Sequence, residues 1–531
     1  MAKKYDVIVM GAGHNGLIHA AYLARAGRQV LVLERRHIVG GATVTEEVFP
    51  GFKFSVFSYV VSLLRPQIIE ELDLPRHGLH LLPLDATFTP LPDGNHLIRW
   101  HDSAKTRQEL ARFSRKDADA YEPFGLLMYH MARAVRDILS MVPPEPSSLK
   151  PSDLAGLGHL SRHFRGLGNN LLYELTRLMT ASSADFLDRW FECEPLKATM
   201  SASGIIGTLL GPRSPGSAYV LLHHYMGEID GVARSWGFPR GGMGSVAAAI
   251  AAAARSFGAE IRTEAPIGRL LIRKGKATGV VLEDGEEIHA DAVASSLDPQ
   301  RTFLKLVDPA ELGEDFLNSV RKYKIRGSSG KVNLALDALP NFTCWPGDGP
   351  HLRGAISISP DLDYLERAYD DGKYGSFSRR PYMDILIPST IDPSMAPPGK
   401  HVMSIFVQYA PYHLKEGTWE EKRDAFGDVV VDTLSEYAPN LKDIILHRQV
   451  LSPWDMEQKV GLTGGNIFHG ELTLDQLFFL RPVAGWAQYR TPIRGLYLCG
   501  SGAHPGGGVM GAPGKLAAME MLKDWKRGKI S

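Results

Sequence analysis

Cysteine is scarce in this chain of 531 residues, which contains three: Cys193, Cys344 and Cys499. No two of them have the spacing of a C-x-x-C redox or zinc pair, so both thiol–disulfide catalysis and a zinc site are disfavoured. A sparse, odd count also argues against the disulfide framework of a secreted protein and favours a reducing compartment. We therefore expect a cytoplasmic protein without a metal site.

Net charge and long apolar runs are also lacking. The 59 lysines and arginines balance the 59 aspartates and glutamates, so bulk charge does not attract the chain to nucleic acid. No stretch reaches the roughly 18 uninterrupted apolar residues of a membrane-spanning helix. What is present is an ordinary globular composition, 44% hydrophobic and 22% charged, at a length that predicts about two to four domains.

Residues 5–34 have the pattern of a dinucleotide-binding unit. The run YDVIVM predicts a buried parallel strand, and GAGHNG predicts a sharp turn through Gly11 and Gly13 into a helix packed closely at Gly16. Unpaired amides at the start of that helix are expected to bind a pyrophosphate. A second predicted strand, RQVLVLE, ends at Glu34, where a carboxylate is placed to accept hydrogen bonds from a ribose hydroxyl group.

A glycine pair and a second glycine cluster distinguish FAD from NAD. Both cofactors use the motif above, and Glu34 favours either of them over NADP. Gly40 and Gly41 follow that acid, as in FAD enzymes, where such a pair lies beside the flavin pyrophosphate. Near the other end, GAHPGGGVMGAPG follows a predicted buried strand, IRGLYLCG, and precedes a predicted helix. We expect the N-terminal glycines to hold the ADP half of one FAD and the C-terminal glycines to meet its flavin.

Several segments resemble a known family. YDVIVMGAGHNGL, VLVLERRHIVGGATVTEE and GLYLCGSGAHPGGGVMGAPG are similar to the phytoene desaturase-like flavoproteins, part of the amine oxidase group of FAD enzymes. FECEPLKATMSASGIIG, SPGSAYVLLHHYMG and GGNIFHGELTLDQLFFLRP resemble a branch distinct from the carotenoid desaturases proper. The resemblance covers nearly the whole chain. It implies an α/β fold with a discontinuous Rossmann-type FAD-binding domain, at about 1–75, 236–300 and 485–531, and an α+β substrate domain at 76–235 and 301–484.

Two positions depart from the pattern of many relatives. Ala42 follows the glycine pair where relatives carry an arginine on the pyrophosphate, so that contact is expected from Arg35, Arg36 or the backbone. Ser501 stands where relatives carry an aspartate that binds the cofactor. The residues expected to bind FAD are then Gly11, Gly13, His14, Asn15, Gly16, Glu34, Arg35, Gly40, Gly41, Ala42, Thr43, Ile267, Gly500, Ser501, Gly508, Val509 and Met510.

Three polar residues are candidates for a catalytic role. His504 belongs to the C-terminal glycine cluster, where it would position the substrate or move a proton; a loop histidine bonded to backbone is the alternative. Asn466 and His469 belong to GGNIFHGE, and the resemblance favours their lining the active site, with a surface loop as the alternative. The adjacent His223 and His224 are predicted to lie on a strand, pointing opposite ways, and to be structural.

Together these residues predict an FAD-dependent oxidoreductase that transfers hydride from a C–H bond of an apolar, unsaturated or lipid-like substrate to flavin N5. Phe468, Phe478 and Phe479 are expected to wall its pocket, and Tyr59 to fill the core. A redox-neutral hydratase or isomerase and an FAD-stabilised interaction protein stay open as alternatives. An oligomeric state, peripheral membrane contact through the basic KDWKRGKIS end, and the mitochondrial matrix as the location in a eukaryote also stay open.

Overall fold

The computed structural model describes residues 5–229 and 231–530 as a mixed α/β fold built on two seven-stranded sheets. In that part of the chain no helix is long and apolar enough to cross a membrane. The strands are β1 (Tyr5–Met10), β2 (Val30–Leu33), β3 (Thr45–Phe49), β4 (Phe52–Ser55), β5 (Leu81–Pro83), β6 (Ala86–Pro90), β7 (His96–Trp100), β8 (Glu228–Ile229), β9 (Val232–Ala233), β10 (Gly237–Pro239), β11 (Glu260–Arg262), β12 (Ile267–Arg273), β13 (Lys276–Leu282), β14 (Glu287–Ser295), β15 (Ser329–Leu336), β16 (Ala355–Ile358), β17 (Tyr382–Leu386), β18 (His401–Gln408), β19 (Ile445–Leu451) and β20 (Leu496–Leu498).

The α-helices connect and cover these sheets. They are α1 (His14–Arg25), α2 (Pro66–Glu71), α3 (Ser103–Leu110), α4 (Arg115–Leu139), α5 (Pro151–Gly166), α6 (Asn169–Thr180), α7 (Ser183–Asp188), α8 (Glu194–Ser201), α9 (Ser217–Tyr225), α10 (Gly244–Ser256), α11 (Pro299–Lys305), α12 (Glu314–Lys322), α13 (Leu362–Lys373), α14 (Trp419–Ser435), α15 (Leu441–Ile444), α16 (Pro453–Val460) and α17 (Ala512–Lys526).

The first sheet carries the dinucleotide-binding motif. Its strands run in the order β11, β2, β1, β14, β13 and β12, and β20 pairs with the carboxyl end of β14. β1 lies parallel between β2 and β14, and five of its six residues are buried, as expected for a strand covered on both faces. Helix α1 packs against both α10 and α17, which brings the two ends of the chain together. The strands come from three separate segments, residues 5–33, 260–295 and 496–498.

Packing crosses the predicted domain edges at two places. Phe303, Phe316 and Val320, from α11 and α12, belong to the core around the first sheet and extend it past the predicted edge at residue 300. Phe52 and Phe54, in the hairpin β3–β4, belong instead to the core that adjoins the second sheet. Both segments lie where the chain passes between the sheets, so burial there follows the nearest apolar surface.

The second sheet presents one polar face to the interior of the molecule. Its order is β19, β15, β18, β17, β16, β6 and β7. Register places Lys331, Phe406, Asp384 and Ser357 side by side on neighbouring strands. Because side chains alternate along a strand, these four share one face of the sheet. The opposite face packs its apolar residues against α14.

A helical layer, α3 to α9, completes the fold. Its core joins Phe124 of α4 to Phe186 of α7 and Leu222 of α9. Helix α9 lies at the centre of this layer, and residues 217–224 of it are buried. The layer therefore closes the space above the polar face of the second sheet.

Candidate active site

A cavity of about 320 Å³ extends from the carboxyl ends of β1 and β2 to the polar face of the second sheet. Gly11 and Glu34 line its outer end, and Lys331 and Phe406 line its inner end. Ligand sites of open parallel sheets lie at the carboxyl ends of the strands. The cavity therefore joins the predicted dinucleotide site to the second sheet.

Glu34 organises the outer end of the cavity. Its Oε2 atom accepts a hydrogen bond from the backbone N–H of Ala12 at 2.9 Å, and its Oε1 atom accepts one from Arg36 at 3.0 Å. The side chain is buried and lines the cavity, with Ile267 on the same stretch of wall. Each carboxylate oxygen retains a lone pair, so Glu34 can both fix the glycine turn and accept a hydroxyl group of a ligand.

The glycines of GAGHNG differ in what surrounds them. A Cβ atom at residue 16 would lie 2.2 Å from the carbonyl oxygen of Gly11, so Gly16 is required for packing. Gly11 adopts φ +89°, a conformation that favours glycine. At Gly13 a Cβ atom would meet nothing within 4 Å, because this residue faces the open cavity. The first amides of α1, which have no partner inside the helix, begin at the same point.

The two glycine-rich segments meet on one wall. The side-chain amide of Asn15 donates a 2.9 Å hydrogen bond to the hydroxyl of Ser501. At Gly514 a Cβ atom would lie 2.3 Å from the carbonyl oxygen of Asn15, so α17 packs directly on the N-terminal turn. Gly508 lines the cavity in the left-handed conformation, with φ +98°. Ser501 therefore binds the opposite glycine motif.

Several polar atoms of the cavity wall have no hydrogen-bond partner within the described residues. Buried polar groups are nearly always bonded, so such a cluster marks a place for a polar ligand. The atoms are His14 Nε2, Asn15 Oδ1, Arg36 Nη1, Arg301 Nε and His469 Nδ1. Burial lowers the pKa of His14 to about 4, so this ring is neutral near pH 7. The two arginine nitrogens of this set are free donors, and beside a helix N-terminus and a glycine turn they fit the pyrophosphate of FAD.

Arg301 is a cationic contact that the sequence analysis missed. It lies on α11, directly after β14, and lines the cavity with Arg35. A Cβ atom at Gly461 would lie 3.4 Å from the guanidinium of Arg301 and 3.5 Å from that of Arg35, so both reach the same place. Burial and the charge of Arg301 lower the pKa of Arg35. The sequence signal that could have found Arg301 is its position just after strand β14, because the carboxyl ends of parallel strands meet at one edge of a sheet.

Most of the residues expected to bind FAD line the cavity. They are Gly11, Gly13, His14, Asn15, Glu34, Arg35, Gly40, Gly41, Ala42, Thr43, Ile267, Ser501, Gly508 and Val509. Gly16, Gly500 and Met510 are not among the described residues of the wall. A Cβ atom at Gly500 would lie 2.3 Å from the carbonyl oxygen of Ser296, so its role, like that of Gly16, is close packing behind the wall.

Two of the three catalytic candidates are not among the described lining residues. Asn466 is buried; its amide nitrogen donates to the carbonyl of Arg326 at 2.9 Å, and its oxygen accepts from the N–H groups of Phe468 and Gly470. Those bonds shape the loop and use both ends of the amide. His504 is fully buried, with its ring 5.2 Å from that of Phe478, and burial lowers its pKa to about 3. The catalytic roles predicted for Asn466 and His504 therefore find no support in the lining of this cavity.

His469, the third candidate, does line the cavity. Its backbone has φ +55°, which is uncommon for a residue other than glycine and is often found at functional sites. Burial lowers the pKa of its imidazole, so the ring is neutral at pH 7. Phe468, its neighbour, also lines the cavity, whereas Phe478 and Phe479 are not among the described residues of the wall.

The strand predicted for His223 and His224 is wrong, since both lie on helix α9. The preceding run AYVLL is apolar throughout, and periodicity cannot distinguish a buried strand from a buried helix in so short a run. His223 lies within hydrogen-bond distance of the carbonyl of Gly507, at 3.2 Å. His224 bonds to the carbonyl of Val220 at 2.9 Å and lines the cavity, with its ring stacked on Trp236.

A polar cluster lies at the inner end of the cavity. Tyr59 donates a 2.6 Å hydrogen bond to Oδ2 of Asp384, so this tyrosine does more than fill the core. Lys331 is fully buried; its Nζ atom lies 4.3 Å from the ring centroid of Tyr59 and donates to the carbonyl of Phe57 at 2.9 Å. Burial lowers the pKa of Lys331 to about 7 and raises that of Asp384 to about 6. Lys331 is thus a proton-exchanging group next to a mostly apolar space.

That space has apolar walls. The aliphatic, aromatic and sulfur side chains that line its inner part are Phe57, Val60, Leu63, Ile206, Trp236, Phe406, Met456, Val460, Leu462, Ile467 and Phe468. Within residues 5–229 and 231–530 there is no group of three histidine, cysteine or carboxylate side chains arranged to hold a metal ion. The inner part therefore suits an apolar molecule that meets Lys331.

Arg481 supports the site from behind. It is fully buried, and its guanidinium donates to the backbone carbonyl oxygens of five residues, at distances of 2.8 to 3.4 Å. The five are Phe468, Gly470, Glu471, Gln476 and Ser501. One side chain thus ties the loop that carries His469 to the C-terminal glycine cluster.

Comparison with known proteins identifies the group to which the chain belongs. The family described as flavin containing amine oxidoreductase matches residues 16–522. Pyridine nucleotide-disulfide oxidoreductase domain-containing protein 2 of Rattus norvegicus, the branch that FECEPLKATMSASGIIG resembles, is 44% identical, with 98% of this chain and 94% of its own covered. A phytoene desaturase (lycopene-forming) of Pseudescherichia vulneris is 27% identical, over 97% of this chain and 99% of its own.

A solved structure shows the same fold. It is a variant of putrescine oxidase, 15% identical, with a TM-score of 0.58 and coverage of 98% of this chain and 99% of that chain. The predicted fold class and the predicted cofactor are thereby confirmed. The chain belongs to the flavin-containing amine oxidoreductase family, with phytoene desaturase-like proteins among its relatives, and its cofactor is FAD.

Proposed function

We propose that this FAD-dependent oxidoreductase is a dehydrogenase, desaturase or oxidase that removes hydrogen from a C–H bond of an apolar substrate. The observation that carries the proposal is the apolar inner part of the cavity, which contains Lys331 and continues into the FAD site. The relative from Pseudescherichia vulneris is named for desaturating phytoene, a hydrocarbon. An apolar substrate fits the same kind of wall here.

The charges at the inner end argue against a cationic amine as substrate. The described ionisable groups there are Lys331, His224, the Tyr59 phenol and, behind that phenol, Asp384. The lining carboxylates, Glu34 and Glu283, lie at the opposite, adenosine-binding end. Lys331 would repel a desolvated ammonium group while protonated, and Asp384 is already occupied by the hydrogen bond from Tyr59.

Bound FAD supplies the hydride acceptor. The protein excludes water with its apolar wall, orients the substrate between Phe406 and Phe468, and provides a base at Nζ of Lys331. When a C–C bond becomes a double bond, one carbon loses a hydride and its neighbour loses a proton. The neutral amine of Lys331 accepts that proton, and the hydrogen bond from Tyr59 keeps Asp384 in place beside it.

Anaerobic spectroscopy of the purified holoenzyme tests the reaction class. Mixing with terpene hydrocarbons or long-chain alkenes is expected to bleach the flavin absorption band and to give a product lighter by two hydrogen atoms. A product with added water, or one with unchanged mass, would instead identify a hydratase or isomerase. A flavin that no apolar donor reduces would contradict the proposal.

Gly13→Ala tests the cofactor site. The added methyl group meets no protein atom but enters the cavity beside the first turn of α1, so FAD affinity is expected to fall by roughly tenfold to a hundredfold. The measurement is FAD binding to apoprotein followed by flavin fluorescence. Gly158→Ala, on exposed α5 with equally open space around its Cβ, is the matched control and should bind FAD normally. Equal affinity of the two variants would contradict the placement of the pyrophosphate.

A further inference from the structure

A second cavity, of about 310 Å³, adjoins the first. Val60, Ile206, His224 and Trp236 line both cavities and form the partition between them. At its other end the second cavity reaches the exposed residues His101 and Ser103. This outer cavity therefore leads from solvent to the apolar space beside the FAD site.

The two cavities share one floor, the polar face of the second sheet. Arg99 of β7 pairs with Thr87 of β6, which pairs with Ala355 of β16, and all three line the outer cavity. Asp384 also lines it, on the partition side, three strands away from Arg99 in the sheet. At about 4.8 Å per strand and about 3.4 Å per residue, an offset of three strands and two residues puts the backbones of Arg99 and Asp384 roughly 16 Å apart.

Two arginines give the outer cavity a positive charge. Among the described residues neither Arg99 nor Arg234 has a carboxylate within ion-pair distance, whereas nearby Arg136 is paired with Glu228 at 2.6 Å. The Nε atom of Arg99 is buried without a hydrogen-bond partner. Asp384, the carboxylate of the wall, already accepts the hydrogen bond from Tyr59. Within the described part of the chain, these guanidinium groups therefore have no ion-pair partner.

The two guanidinium groups converge on one phenol. Arg234 lies 5.7 Å from the ring centroid of Tyr225, and Arg99 interacts with the hydroxyl of the same tyrosine. Arg234 reaches this position from a backbone with φ +63°, a strained conformation for a long side chain. Strain of this kind is retained where the surroundings fix a residue for a purpose. Arg99, Arg234 and Tyr225 thus place two guanidinium groups and a phenol on one stretch of the wall of the outer cavity.

We propose that the substrate carries an anionic headgroup, a carboxylate, which Arg99 and Arg234 bind in the outer cavity. Its apolar body then passes between Ile206 and Trp236 to the FAD site. Planar guanidinium groups match the two oxygens of a carboxylate, and the hydroxyl of Tyr225 adds a further donor. The inference rests on the proposed function, since it assigns a headgroup to the apolar substrate of that reaction.

Binding to the holoenzyme tests the headgroup without requiring turnover. Decanoate and 1-decanol have the same chain and differ in charge, and either one is detected by the shift it causes in the flavin absorption spectrum. Wild-type protein is expected to bind decanoate at least about tenfold more tightly than 1-decanol. The double variant R99Q/R234Q should lose this preference while its affinity for 1-decanol is unchanged. R133Q, at an exposed position on α4, is the matched control and should keep the preference.

Three results would overturn the proposal: equal affinity of wild-type protein for the two ligands, a preference for decanoate that survives in R99Q/R234Q, or no spectral shift with either ligand. Tighter binding of decyl phosphate than of decanoate would overturn the assignment to a carboxylate. Flavin content of each variant shows that the holoenzyme has folded. Because the readout is binding, failure of the proposed dehydrogenation would leave the headgroup preference intact, and the two failures can be told apart.

Discussion

Replacing Lys331 with methionine is expected to lower the rate of flavin reduction by an apolar donor by about 10²- to 10⁴-fold, the usual contribution of a positioned base. Methionine preserves the length and apolar stem of the side chain but cannot accept a proton. Lys331 is fully buried beside Tyr59 and reaches the cavity, so no water replaces its amine directly. The measurement is single-turnover flavin reduction in a stopped-flow instrument.

The pH profile gives this prediction a second readout. Burial lowers the pKa of Lys331 to about 7, and nearby Asp384 opposes that shift. Below this pH the amine already carries a proton and cannot accept another, so the rate should fall as the pH drops below about 7 and level off above it. In the Lys331→Met variant, this fall in rate below about pH 7 should disappear. Asp384, whose pKa burial raises to about 6 against the opposing charge of Lys331, should keep its proton to a higher pH in that variant.

Controls separate the amine from its charge and its bulk. Lys331→Arg stays protonated and should be as slow as the methionine variant. Lys442→Met, at an exposed lysine paired with Asp432, should reduce its flavin at the wild-type rate. If the Lys331→Met variant retained both the wild-type rate and the fall in rate below about pH 7, the base would have to be another residue.

Arg481→Met is expected to destabilise the protein by at least about 2 kcal/mol, because buried acceptors lose their donors. The substitution removes the donors of five backbone carbonyl oxygens, those of Phe468, Gly470, Glu471, Gln476 and Ser501, and leaves them buried without partners. The measurement is the free energy of unfolding from chemical denaturation of the apoprotein, which avoids any contribution from bound FAD.

A surface arginine provides the control for the stability lost in Arg481→Met. Arg379, whose side chain is 85% exposed in its ion pair with Asp371, should change stability by no more than about 0.5 kcal/mol when replaced with methionine. Arg481→Lys should lie between the two, because three donors cannot serve five acceptors. A loss below about 1 kcal/mol in Arg481→Met would show that the carbonyl groups find other partners.

The cofactor half of the site could be predicted from the sequence because its signals are local. Gly11, Gly13 and Gly16 follow a buried strand directly, and the acid that organises the turn ends the next strand. Each of these residues acts within one β-α-β unit, where spacing along the chain fixes position in space. The C-terminal cluster could be placed for a similar reason, since it follows a strand and opens a helix.

The substrate half depends on contacts that no local pattern indicates. Only strand register brings Lys331 and Asp384 near each other. Tyr59, which binds Asp384, lies 325 residues before it in the chain. Lys331 looks like an ordinary strand residue in the sequence, and Tyr59 looks like core. Asn466 shows the opposite difficulty, because a polar residue in a glycine-rich loop can bond backbone amides, as it does here, as readily as it can contact a substrate.

The hydrogen bond between Asn15 and Ser501 spans 486 positions of the chain. During synthesis, the strand and turn that are expected to bind ADP leave the ribosome first. The segment that is expected to meet the flavin leaves it last. Until α17 has emerged and packed on α1, the cofactor cavity lacks its C-terminal glycine segment. We therefore expect the complete FAD site to form only after α17 has packed on α1, and a chain that ends before residue 501 to lack the C-terminal wall of that site.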